Sequence, residues 1–83
     1  MSGIEKLLRL AKLYAQAEGV ELSTVSSRIF DDGKKLSALQ EGRDIQVRRC
    51  EKAIEWLSSN WTTKAEWPSE IARPKSQPVG APA

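Results

Sequence analysis

Apolar positions recur at steps of three and four from Ile4 to Trp61, the spacing of one buried face of an α-helix. In the first stretch Ile4, Leu7, Leu8, Ala11, Tyr14 and Ala15 form the stripe, and Leu10 and Leu13 widen it. Ser2 and Glu5 have the spacing of a capping box, and Gly19 suits the left-handed residue that closes a helix. A helix over 3–18 is predicted. Ser23, with Leu22 before it, is the expected cap of a second, short helix over 24–30, whose inner face is Leu22, Val25 and Ile29. Phe30-Asp31-Asp32-Gly33 reads as a turn. A third helix is predicted over 34–41, capped by Asp31 or Asp32, with Leu36 and Leu39 inward and Gly42 beyond its end. The fourth is the most regular: Val47, Cys50, Ile54, Leu57 and Trp61 form its core stripe, Asp44 is its expected cap, and its span is 45–59.

The pattern stops near Asn60. All four prolines lie beyond it, and Pro74–Ala83 contains three of them with Val79 as its one bulky apolar residue. So little apolar surface does not offset the entropy of ordering a chain, so 73–83 is expected to be a disordered tail. Residues 61–72, which carry Trp61 and Trp67, are expected to pack back on the 1–60 domain. The expected fold is all-α, a compact bundle of four to five helices with a flexible C-terminal tail.

Composition narrows the chemistry. With 83 residues the chain has room for one small domain. It has no His, which removes the usual acid/base near neutral pH and the commonest metal ligand. Its single Cys can form neither an internal disulfide nor a CxxC clamp, and it lies in the core stripe of the fourth helix, where it reads as a small hydrophobe. No phosphate-cradling glycine loop and no nucleophile–base pair is present, so the chain is read as non-enzymatic, with no cofactor and no metal. No apolar run approaches the roughly 20 residues that cross a bilayer, so no membrane partner is expected. Met1-Ser2-Gly3-Ile4-Glu5-Lys6 enters directly into the amphipathic pattern, without the apolar core of a secretory signal. A cytoplasmic location is the expectation.

The net charge is +2, yet residues 33–52 hold six basic residues against three acidic ones, which leaves the rest of the chain at −1. This basic segment adjoins a short helix, a tight turn and a second short helix, the plan of a helix-turn-helix. The stretch Thr24 to Gly42 resembles the lambda-repressor-like (Cro/repressor) family. Ser26 stands where that family has a small residue at the crossing of the two helices. Ile29 closes the first helix's inner face, Leu36 and Leu39 are the inward residues of the second, and Gly42 opens the following loop. Residues 24–57 fit the scheme, about two-fifths of the chain. The chain is also similar to short repressor-like proteins of prophages and mobile elements, which too can end in a segment like Trp56 to Pro68, rich in Trp and Pro. It departs from the family's pattern in three ways: no glycine stands early in the turn, four helices are found instead of five, and Asp31 and Asp32 lie close to the expected DNA face.

The resemblance implies a DNA-binding transcriptional regulator of repressor type that reads the major groove with helix 34–41. Lys34, Lys35, Ser37 and Gln40 would then meet base edges, Lys suiting guanine acceptors and Gln suiting adenine. Ser23, Thr24, Arg28, Arg43, Arg48 and Arg49 would contact phosphate. Arg48 and Arg49 have an alternative as a solvated helix face paired with Glu51 and Glu55. Double-stranded DNA is the expected partner, bound by a homodimer because two half-sites give the specificity that one small domain lacks. Trp56 and Trp67 are the candidate partner-interface residues, for a second copy or for a different protein. Two other functions fit the same residues: a protein-interaction module of anti-activator type that keeps the fold without binding DNA, and an excisionase-like architectural DNA binder.

Overall fold

The computed structural model describes residues 2–74. Among them are four α-helices and no strand: α1 (Gly3–Glu18), α2 (Leu22–Phe30), α3 (Lys35–Gln40) and α4 (Val47–Ser59). The expected range of four to five helices resolves at four among the described residues.

Helix α1 has the boundaries its sequence predicts. The Glu5 N–H donates to Ser2 Oγ at 3.1 Å and the Ser2 N–H donates to Glu5 Oε1 at 2.9 Å, a reciprocal capping box. At the other end Gly19 takes φ 70°, and the Val20 N–H reaches back to the Ala15 carbonyl at 3.0 Å. Helix α3 closes in the same way: Gly42 has φ 104°, and the Arg43 N–H donates to the Ala38 carbonyl at 3.0 Å.

The other helix starts differ from expectation. Helix α2 begins at Leu22, so Ser23 lies inside its first turn and is not the cap; Glu21 is, without a side-chain bond. Leu22 packs against the core, and its burial draws the helix two residues upstream. Helix α3 is one residue shorter at each end than 34–41, with Lys34 as its cap. Helix α4 starts at Val47 with Gln46 as cap, not at 45 with Asp44 as cap. Ile45 instead packs, half-buried, against the core from the connection before the helix, and the cap Gln46 is extended.

The core is one cluster. Leu7, Leu10 and Ala11 of α1, Val25 of α2, Leu36 of α3 and Leu57 of α4 have no exposed surface. Each such Leu or Val stabilises the fold by roughly 1.5–3 kcal/mol relative to an exposed position. Helices α1 and α4 lie side by side and run in the same sense. Gly3 lies against Cys50, where an added Cβ would stand 3.4 Å from Sγ, and eleven residues on Tyr14 meets the ring of Trp56. The short helices α2 and α3 pack on each other and on α1.

That alignment corrects one core assignment. Val47 continues the α4 stripe by spacing, but it is 73% exposed. Helix α1 begins level with Cys50, so Val47, one turn earlier on α4, has no helix opposite it.

Residues 61–74 contain no regular element, yet they are tied down along their length. Ile71 and Thr62 are buried. Thr62 Oγ1 donates to Glu18 Oε2, and Arg9 pairs with Glu70. The indole N–H of Trp61 donates to the Ala65 carbonyl and that of Trp67 to the Ile71 carbonyl, both at 2.8 Å. Arg73, where the tail was expected to begin, donates from Nε to Ser58 Oγ at 3.0 Å and from Nη2 to the Ser58 carbonyl at 2.7 Å. The rest of that expected tail, residues 75–83, lies outside the described residues. No helix among the described residues is long and apolar enough to cross a membrane.

Candidate functional site

The connection from α2 to α3 is organised by one buried hydroxyl. Ser26 has no exposed surface. Its Oγ donates to the Asp32 carbonyl at 2.6 Å and accepts from the Leu36 N–H at 3.0 Å. A single side chain thus joins a carbonyl of the turn, which also accepts from the Lys35 N–H at 3.3 Å, to the buried Leu36 N–H in the first turn of α3, which an apolar small residue here would leave without this partner. The chain leaves α2 through Asp31 in the left-handed region, φ 60° and ψ 32°, with its N–H on the Ser27 carbonyl at 2.8 Å. Asp tolerates this conformation better than most residues with a side chain. Gly33, in the same turn, does not have a positive φ, and an added Cβ there would sit an ordinary 3.6 Å from the Ser23 carbonyl. Asp32 Oδ1 accepts from the Lys34 N–H at 2.9 Å, which tightens the turn just before α3; neither Asp31 nor Asp32 is the helix cap expected of them, since the cap is Lys34 and has no side-chain bond.

This arrangement leaves Lys34, Ser37 and Gln40 exposed, while Lys35 is half-buried. The inward positions of α3 are Leu36 and Leu39, both buried as expected. The six phosphate candidates divide. Ser23, Arg43 and Arg48 are exposed, and Thr24 is half-buried in the first turn of α2. Arg28 and Arg49 are exposed but also touch their own chain: Arg28 Nη1 donates to Tyr14 Oη at 3.1 Å, and the Arg49 guanidinium lies 5.8 Å from the centre of the Phe30 ring. Arg49 also lines, with Ile29, Phe30, Lys52, Ala53 and Trp56, a groove of about 330 Å³ between α2 and α4.

The two tryptophans expected at an interface are engaged within the chain. Trp56 is half-buried and meets Tyr14 edge-on at 6.0 Å between ring centres. Trp67 is half-buried between Trp61, 4.9 Å away and edge-on, and the Arg73 guanidinium, 5.1 Å from its ring centre. Tyr14 joins the two halves of this row, since its ring lies 6.1 Å from that of Trp61.

Cys50 is buried beside Gly3. Burial pushes its thiol above the usual range, and the Glu51 carboxylate pushes it the same way, so it stays protonated near neutral pH. Its surroundings are those of a packing residue. The Tyr14–Arg28 bond and the double role of Ser26 had no counterpart in the sequence pattern. Only the small size of Ser26 at a helix crossing hinted at the second.

Comparison with protein-family models, with curated proteins and with solved structures finds no match to this chain.

Proposed function

We propose that this chain is a sequence-specific DNA-binding transcriptional regulator of the repressor-like, helix-turn-helix kind, with α2 and α3 as the helix-turn-helix and α3 as the element that enters the major groove. The observation that carries this reading is the Ser26 hydroxyl, which fixes the turn to the start of α3 while Lys34, Ser37 and Gln40 stay exposed beside it. A rigid pair of short helices with a polar outer edge is what base readout needs, because base contacts discriminate only when their register on the duplex is fixed. The excess of basic residues over 33–52 supports it, with Arg43 and Arg48 exposed for phosphate. Ser23 and Thr24 in the first turn of α2 are further phosphate donors in this reading. A homodimer on two half-sites supplies the specificity.

Variants on α3 test the proposal against a random-sequence duplex pool. Lys34→Glu is expected to weaken binding to every sequence. Gln40→Ala is expected to relax preference at one base position, by about 1–3 kcal/mol of discrimination. Unchanged binding and unchanged preference in both variants contradict it.

A second reading, a protein-interaction module that keeps the fold without binding DNA, draws support from two of the cations. Arg28 on Tyr14 and Arg49 over Phe30 are engaged within the chain, and Arg49 and Lys52 rim an apolar groove. That reading predicts no affinity for duplex DNA even at low salt.

A further inference from the structure

We infer that the chain self-associates through the groove between the start of α1 and the start of α4, with a second copy as its occupant. Four aliphatic side chains converge there: Ile4 of α1, Ile45 of the preceding connection, and Val47 and Ile54 of α4. The groove has a volume of about 420 Å³. Ile4, Ile45 and Ile54 are half-buried, and Val47, 73% exposed, is the one large hydrophobic side chain among the described residues that is openly exposed. It overhangs the end of α1, so nothing in its own chain covers it. A contiguous aliphatic patch with a polar rim is the usual form of a protein contact surface.

The rim identifies the occupant. Lys6 stands on the α1 side, and Asp44 and Glu51 stand on the α4 side. None of the three takes part in an ion pair among the described residues, where the one such pair joins Arg9 and Glu70. A surface that binds its own copy about a two-fold axis must be complementary to itself. Opposite charges on opposite edges of one apolar strip meet that requirement. Rotation about an axis along the groove sets α1 of each copy over α4 of the other, with each Lys6 facing the other copy's Glu51 and Asp44. A partner of uniform charge would meet repulsion on one edge. The aliphatic strip supplies the affinity, and the exposed ion pairs, worth about 0.2–1 kcal/mol each, set the orientation.

This surface is separate from Trp56 and Trp67, and the inference does not rest on DNA binding. Sedimentation of the 83-residue chain without DNA tests it. The expected result is a dimer of twice 9.2 kDa at micromolar concentration, and a monomer of 9.2 kDa for Val47→Glu. Val47 lies outside the core, so that variant should keep its helical content, and its unfolding midpoint should match that of the parent at concentrations where the parent is monomeric. The charge pattern gives a sharper test. Lys6→Glu and Glu51→Lys chains should each dimerise more weakly than the parent, and an equimolar mixture should associate more strongly than either variant alone, because both cross-pairs between positions 6 and 51 then join opposite charges. A monomeric parent chain overturns the inference. So does a dimer that Val47→Glu leaves intact. A mixture no more associated than either variant alone overturns the proposed orientation. A failure in these experiments leaves the duplex-binding result on α3 variants unaffected, so the two readings fail separately.

Discussion

Ser26 carries more of the α2–α3 connection than any other single side chain. Ser26→Ala changes the volume little but strips the buried Leu36 N–H of its side-chain partner, while the Asp32 carbonyl keeps only the longer bond from the Lys35 N–H. The expected loss is about 1–3 kcal/mol, the cost of leaving buried polar groups unpaired, read as a lower midpoint in denaturant unfolding. A midpoint equal to that of the parent chain would show that the hydroxyl is dispensable. Cys50 gives a second test at this scale. Its thiol titrates higher in the folded chain than in the unfolded one, so its contribution to stability is present in full below the unfolded thiol's range. Stability should fall as pH rises through that range, and alkylation at neutral pH should be slow until the chain unfolds. Fast alkylation of the folded chain at neutral pH would contradict this. The sequence marked both residues by type, a small residue at a crossing and a cysteine in an apolar stripe. It did not reveal the partners of Ser26, because those are set by the path of the turn, which takes its left-handed step at Asp31.

At the scale of elements, the helices were legible because their apolar spacing is regular, and the ends of α1 were legible because the capping box and Gly19 are local signals. The starts of α2 and α4 were not. Ser23 and Asp44 are good caps by type, but Leu22 and Ile45 pack against the core, and that packing overrides local capping preference. Val47 was misread for a related reason: spacing alone shows which face a residue occupies, and not where the neighbouring helix ends. Segment 61–74 has no periodicity at all, so its attachment was visible only as two tryptophans. Its energetic centre is Ile71, 2% exposed with no helix to hold it. Ile71→Ala is expected to cost about 2–5 kcal/mol and to loosen the segment. The check is a reduced unfolding midpoint together with faster proteolysis within 61–74. If both stay at parent values, the segment adds nothing to stability.

At the scale of the whole molecule, the α2–α3 edge and the α1–α4 groove are built from different residues, one polar and basic, the other aliphatic with a rim of both signs. A regulator that binds two half-sites needs both kinds of surface, one for DNA and one for its own copy. The proposed DNA surface is the more consequential. Salt dependence tests it most directly, because phosphate contacts release counterions and each one steepens the fall of affinity with salt. Binding of the 83-residue chain and of Lys34→Glu to duplex DNA should be titrated at low and at moderate salt. Binding that is clear at low salt, falls steeply with added salt and is weakened by Lys34→Glu is the predicted result. No binding at low salt, or binding indifferent to both salt and Lys34→Glu, would contradict a DNA-reading α3.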